Sequence, residues 1–149
     1  MCFGLSRGRN LTRKKAKKPS IKALKDKAWV QFSRYIRLKY SDQNGVCKCI
    51  TCGKVMHWKE AQAGHGIPGR SAGILFLEEI VRPQCYRCNV PMGGMQEVFI
   101  PYLIDMYGRD GYESFLRLKH SAGKFTQETL EAMRDEFKRM ADEYEAERG

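Results

Sequence analysis

The sequence lacks the features of a membrane-spanning or secreted protein. No run of about 18 apolar residues occurs in the 149-residue chain, so no transmembrane helix is expected. The first twenty residues are rich in Lys and Arg and contain no apolar segment, so no cleaved secretory signal is expected either. We therefore expect a cytoplasmic protein, and in that reducing compartment paired cysteines bind metal more often than they form disulfides.

Acidic residues are nearly absent from the first quarter of the chain. Residues 1–39 contain 13 Lys and Arg but one acid, Asp26, whereas the whole chain carries +10. Positive charge concentrated in this way indicates a polyanionic partner, most often nucleic acid. The alternative is a solvated tail that aids solubility. The candidate nucleic-acid-binding residues here are Arg13, Lys14, Lys15, Lys17, Lys18, Lys22, Lys25, Arg34 and Arg37.

Composition and periodicity divide the chain into four parts. Residues 1–19 have too few apolar side chains to form a core and are predicted to be a flexible basic arm. Residues 20–45 are predicted to form a basic amphipathic helix with Ser20 as its N-cap. Residues 46–95 are the predicted metal-binding core, and residues 96–149 a C-terminal helical region.

Short strands and long helices together predict an α+β fold. Within the core, residues 46–58 are predicted to form a β-hairpin, residues 61–73 a Gly- and Ala-rich loop, and residues 74–77 a strand. In the helical region, Gly108 is predicted to end one helix and Thr126 to cap the last one.

Two Cys-x-x-Cys pairs predict a structural zinc site. They are Cys49 with Cys52 and Cys85 with Cys88. Two residues between thiolates let one turn place both sulfurs on a tetrahedral zinc, and two such pairs complete a four-sulfur site. Cys47 competes with Cys49, but the two-residue spacing favours Cys49. Cys47 is therefore predicted to be a packed free thiol.

The segment between the cysteine pairs is long enough to carry additional chemistry. It contains His65 between two glycines, and Asn89 directly follows the second pair. A zinc ion would bring both residues to one neighbourhood. A histidine near its ordinary pKa can act as a general base, and an amide oxygen can bind a hard cation such as Mg²⁺ or Mn²⁺. On a basic protein this combination predicts phosphodiester hydrolysis. The simpler interpretations are a turn histidine bonded to the backbone and an asparagine that caps a helix.

The order of these motifs resembles that of the ββα-metal nucleases, also called His-Me finger or HNH nucleases. Among them it is closest to Holliday-junction resolvases of the endonuclease VII kind. More closely still, the chain resembles the phage NinG/Rap recombination protein family. The resemblance covers roughly residues 20–140, and the segments that carry it are residues 22–29, 32–38, 49–54, 63–65, 83–89 and 104–108.

The resemblance implies a zinc-stabilised ββα-metal core flanked by helices, and a divalent-metal-dependent endonuclease that cleaves branched DNA such as Holliday junctions in the host cytoplasm. By position, His65 is similar to the general base and Asn89 to a ligand of the catalytic cation, while the four cysteines match the zinc site. Arg82 and Arg87 flank this region and are candidates for phosphate contacts. By analogy with resolvases a homodimer is expected.

Four positions depart from the pattern of these nucleases. Gly64 stands where an acidic ligand usually precedes the base, and Gln62 where the family often has Asp. Ile80 stands where the family has Asn, and Arg82 where it has His. The departures leave open a second interpretation, a zinc-stabilised DNA-binding module without catalysis. Carboxylates that could replace the missing ligand are Glu60, Glu78 and Glu79.

Overall fold

A computed structural model of the protein describes residues 15–148. These residues form four α-helices, one 3-10 helix (Glu78–Ile80) and four short strands. The helices are α1 (Ile21–Lys39), α2 (Tyr86–Asn89), α3 (Gln96–Lys119) and α4 (Gln127–Ala146). The strands are β1 (Val46–Lys48), β2 (Val55–His57), β3 (Gln62–His65) and β4 (Val81–Gln84). The α+β class predicted from the sequence is confirmed, and no helix of the described residues is long and apolar enough to cross a membrane.

Helix α1 begins where the sequence predicts and ends six residues earlier. The Ser20 hydroxyl accepts a hydrogen bond from the Ala23 amide and so satisfies one free N–H of the first turn. The helix stops at Lys39 rather than continuing to residue 45. Beyond it the Asp42 carboxylate accepts hydrogen bonds from the amides of Asn44 and Val46, which fixes a tight turn into β1.

The predicted β-hairpin is present, with β1 and β2 paired antiparallel. The chain between them reverses through a knuckle at which the Gly53 amide donates to the carbonyl of Cys49. Gly53 has a φ of 75°, a conformation that glycine adopts without strain. The knuckle thereby holds Cys49 and Cys52 close together.

The segment predicted as a loop contains a strand. Residues 62–65 form β3 and pair antiparallel with β4, so that His65 faces Val81 across the ladder. Residues 74–77, predicted as a strand, form none: residues 74–76 lie in a turn and Leu77 in no regular element. The glycines of residues 61–73 predicted a flexible loop, but Gly64 is there for close packing. A Cβ at this position would lie 1.9 Å from Oε1 of Gln84. Helix α2 follows β4 directly, giving the order strand, strand, helix.

Helices α1 and α4 pack against each other on one side of this unit. Thr126 caps α4 as predicted, its hydroxyl accepting from the Thr129 amide. Phe137 of α4 packs on Phe32 of α1, with ring centroids 4.9 Å apart. Helix α3 bends at Gly108, where the backbone is not helical (φ 74°, ψ 166°). The predicted stop at Gly108 is therefore a kink between two helical segments.

Candidate metal centre and histidine pocket

Four cysteine side chains converge between the hairpin and α2. Cys49 and Cys52 come from the knuckle, while Cys85 precedes α2 and Cys88 lies within it. Their sulfur atoms all lie within 4.8 Å of one another, and those of Cys52 and Cys85 are 3.7 Å apart. A zinc–sulfur bond of about 2.3 Å in a tetrahedron requires sulfurs about 3.8 Å apart. The four thiols therefore fit a structural metal such as zinc.

Cys47 is separate from this cluster, as predicted. Its side chain is buried, with 3% exposed, and it is not among the four converging cysteines. Burial raises the pKa of the Cys47 thiol, so the protonated, packed form is favoured. Cys2 lies outside the described residues.

His65 ends β3 with one ring nitrogen engaged by the backbone. Its Nε2 lies 3.0 Å from the carbonyl oxygen of Leu75, and its ring stacks on Trp29 with centroids 5.1 Å apart. A carbonyl can only accept a hydrogen bond, so Nε2 carries the proton and Nδ1 of the neutral ring keeps a free lone pair. Burial lowers the pKa of His65, and the nearby charge of Arg70 lowers it further, outweighing the Leu75 carbonyl.

Asn89, at the end of α2, lies in the same pocket as His65. The pocket has a volume of about 520 Å³. The Asn89 amide nitrogen donates to Oε1 of Gln62 at 2.7 Å, which leaves the Asn89 side-chain oxygen without a described donor. The predicted proximity of His65 and Asn89 is confirmed, and β3, β4 and α2 are the elements that create it.

Two arginines line this pocket, and only one of them was among the sequence candidates. Arg37 donates to the carbonyls of Trp58 and Ala61 from within the pocket wall. The guanidinium carbon of Arg70 lies 5.3 Å from the centre of the Trp29 ring. The sequence shows Arg70 only as a cation in the glycine-rich loop that follows His65. Nothing in the sequence connects Arg70 with Trp29.

No carboxylate among residues 15–148 lines the pocket. Glu60 and Glu79 are exposed, and Glu78 is paired with Lys39 and with the Tyr35 hydroxyl. Residue 64 has no room for an acidic side chain because Gln84 packs against it. Ile80 is fully buried in the core. Gly64 and Ile80 are thus built into the packing, whereas Gln62 lines the pocket.

The predicted nucleic-acid-binding residues other than Arg82 fall into three groups. Those that are at least partly exposed and outside ion pairs with acids of the described chain are Lys15, Lys17, Lys18, Lys25, Arg37 and Arg87. Lys22 pairs with Asp26, and Arg34 pairs with Asp142 and Glu145 of α4, so Arg34 joins two helices. Arg13 and Lys14 lie outside the described residues.

Arg82 is a correction to the sequence-based prediction. It is buried, with 3% exposed, and its guanidinium donates to the carbonyls of Glu78, Glu79 and Val81 and to two tyrosine hydroxyls. A side chain whose donors are used in the interior does not bind phosphate at the surface. Arg82 instead ties β4 to α3 through Tyr102 and Tyr107.

The described fold and site define an α+β protein with a four-cysteine candidate metal centre beside a histidine pocket. A family model described as bacteriophage lambda NinG protein matches residues 6–147. The chain belongs to this recombination-related phage family. No curated protein and no solved structure matches the chain.

Proposed function

We propose that the protein is an endonuclease that cleaves branched DNA, such as Holliday junctions, during phage recombination. The observation that carries the proposal is His65: its Nε2 is held by a backbone carbonyl, its Nδ1 is free to accept a proton, and two arginines and Asn89 share its pocket. General bases in hydrolytic sites are held in this way, with one nitrogen oriented and the other available.

The order of elements supports a ββα-metal core. Strand β3 ends on the proposed base, β4 pairs with it antiparallel, and α2 ends on Asn89. The four cysteines anchor both the hairpin and α2, so a bound zinc would hold α2 against the strands. In this arrangement the metal is structural, and the chemistry belongs to the pocket.

The residues of the pocket divide the proposed reaction between them. Nδ1 of His65 accepts a proton from the attacking water as its oxygen bonds to phosphorus. The P–O bond to one sugar oxygen breaks, and that oxygen leaves with the electron pair and takes a proton from solvent. The guanidinium group of Arg70 offsets the negative charge of the phosphate, which grows as the water adds. Arg37 adds its charge from the pocket wall, where its Nε and Nη1 donate to backbone carbonyls. The stack on Trp29 restricts the imidazole to one orientation, which reduces the entropy cost of reaching the reacting geometry.

The pocket by itself is a poor site for a catalytic Mg²⁺ or Mn²⁺. It offers the Asn89 oxygen but no carboxylate from the part of the chain that the structure describes. Hard divalent cations are usually held by one or two carboxylates together with phosphate oxygens. The residues present do not form such a site, and we assign no step of the reaction to a cation.

The absence of a carboxylate from the described lining of the pocket favours a second candidate, a DNA-binding module without cleavage. A basic pocket without carboxylates suits phosphate binding, and the exposed cations Lys15, Lys17 and Lys18 precede α1. Both candidates require DNA binding, in the host cytoplasm where the phage DNA is. They differ in whether the bound strand is cut.

A cleavage assay separates the two candidates. The full-length protein is incubated with a synthetic four-way junction, a flap and a linear duplex, each with Mg²⁺, with Mn²⁺ or with EDTA. The endonuclease proposal expects nicks near the branch point and little cutting of linear duplex. Tight junction binding without nicks under any cation would reject the endonuclease and favour the binding module. Size-exclusion chromatography with light scattering, on the same samples, tests the expected homodimer.

A further inference from the structure

A second pocket lies beside the histidine pocket, and Arg70 lines both. Its volume is about 420 Å³, within the range of roughly 300–1,000 Å³ that is usual for small-molecule sites. It lies between the start of α1, the loop that follows His65 and the loop that joins α3 to α4. We call it the side pocket.

The side pocket is positively charged. Lys25, Arg70 and Lys124 line it, and none of its described lining residues is acidic. Within residues 15–148 these three cations form no salt bridge with an acidic side chain, in contrast to Lys22 and Arg34 nearby. Cations that line one pocket without an acidic partner favour the binding of an anion there.

Apart from Ser71, the rest of the side pocket is apolar. Ile21 is 43% exposed, and Phe125 is fixed by an edge contact with Phe76, with ring centroids 5.5 Å apart. The Ser71 hydroxyl, also in the lining, has no hydrogen-bond partner among residues 15–148. Cations beside an aromatic ring match the two halves of a nucleotide, because phosphate binds to cations and a base packs on a ring.

We propose that the side pocket holds one unpaired nucleotide of the DNA strand whose neighbouring phosphate enters the histidine pocket. This inference rests on the proposed function, since it places the strand by the proposed site of cleavage. Arg70, which lines both pockets, contacts the phosphates on either side of that nucleotide. Lys25 and Lys124 bind the outer phosphate, and the base packs on Phe125.

The proposal gives a physical reason for a preference for branched DNA. A base in a linear duplex must leave its stack before it can enter a pocket, which costs a few kcal/mol. Bases at a branch point are already partly unstacked, so moving one of them into a pocket costs less free energy. The side pocket therefore selects the branch, while the basic residues before α1 bind duplex arms of any sequence.

The test compares two double variants of the full-length protein in EDTA, so that cleavage does not interfere. Lys25→Gln/Lys124→Gln removes two cations of the side pocket. Lys48→Gln/Lys54→Gln removes two exposed lysines of the β-hairpin and is the control for loss of charge. Fluorescence anisotropy measures binding to a four-way junction and to a linear duplex across a salt series, and circular dichroism and zinc content confirm folding.

The side-pocket variant is expected to bind the junction at least about tenfold more weakly at ~0.1 M salt. The log-log salt slope should fall by about 0.7–0.9, the contribution of one phosphate contact, since both lysines bind the same outer phosphate. The duplex should be affected less, and the control should stay within about twofold of the wild type for both.

Three other results would overturn the inference. If the side-pocket variant matches the control, the side pocket is not a DNA site, although binding and cleavage by the wild type would still support the proposed function. If junction and duplex lose affinity equally, the pocket binds phosphate but no unpaired nucleotide. If the wild type binds neither DNA, the proposed function fails together with the inference.

Discussion

The Nε2 atom of His65 and the carbonyl oxygen of Leu75 lie 3.0 Å apart, and this contact joins the end of β3 to the turn that follows the glycine-rich loop. It fixes the tautomer of the imidazole and leaves Nδ1 as its accepting nitrogen. The sequence alone left open a turn histidine bonded to the backbone or a general base. The geometry accommodates both, because the backbone bond uses only one nitrogen.

Replacing His65 is therefore expected to remove cleavage but not binding. Loss of a general base typically lowers the rate about 10²- to 10⁴-fold, so His65→Ala should nick junctions at least a hundredfold more slowly. His120→Ala is the matched control, because His120 is exposed at the end of α3. Single-turnover cleavage and anisotropy measure the two effects. Equal cleavage by the two variants would remove His65 from the mechanism.

The pH dependence of cleavage should reflect the lowered pKa of His65. Burial favours the neutral ring, so the base is active at neutral pH and is lost only as the pH falls through a pKa below the ordinary 6.5. Activity should be flat from pH 7 to pH 8 and decline on acidification. NMR titration of the His65 ring gives the pKa directly, and a value above 6.5 would contradict the assignment.

Removing one ligand of the cysteine cluster should release the bound metal and destabilise the fold. Metal binding is worth on the order of 10 kcal/mol of folding free energy in small zinc modules. Cys85→Ser should lose the zinc and lower the melting temperature sharply, whereas Cys47→Ser should retain the metal, because Cys47 lies outside the cluster. Elemental analysis with thermal denaturation measures both. Zinc retained by Cys85→Ser would reject this ligand set.

Local signals predicted the local parts of the fold well. The caps Ser20 and Thr126 depend on residues three positions ahead, and the structure confirms both. The cysteine cluster was predictable because thiolate spacing reflects the geometry of a metal tetrahedron. Cys47 was correctly left out for the same reason.

Long-range packing was not visible in the sequence. Strand β3 pairs with a segment far along the chain, and Gly64 within it provides contact with Gln84 rather than loop flexibility. From the sequence, Arg82 was predicted to be a surface cation. The carbonyls and tyrosine hydroxyls that accept its hydrogen bonds come together only in the folded protein. Arg70 was missed because its partner Trp29 lies on a different element.

The burial of Arg82 predicts an effect on stability rather than on DNA binding. Arg82→Met leaves several buried carbonyls and hydroxyls without a donor, and each unsatisfied group costs roughly 1–3 kcal/mol. We expect the free energy of unfolding to fall by at least about 3 kcal/mol, the lower bound for the three carbonyls, with unchanged junction affinity of the folded protein. Arg87→Met, at an exposed position, should leave stability unchanged. Urea denaturation measures the stability of both variants, and anisotropy measures their affinity for the junction. If Arg82→Met lost junction affinity while keeping the wild-type stability, Arg82 would be a DNA contact after all.

Gln62 is the position at which a carboxylate can be supplied to the histidine pocket. Its Oε1 already accepts from the Asn89 amide at 2.7 Å, so an Asp there would lie beside the free Asn89 oxygen, and Gly64 offers no space for an acid. In the zinc-loaded, DNA-free protein, Gln62→Asp should bind Mn²⁺ at least about tenfold more tightly than the wild type, equivalent to about 1.4 kcal/mol. Gln62→Asn, which shortens the side chain without adding charge, should not. Isothermal titration calorimetry measures the difference. If the Asp variant binds Mn²⁺ no better than the Asn variant, the pocket does not accept a cation even with a carboxylate present, and its role is to bind phosphate.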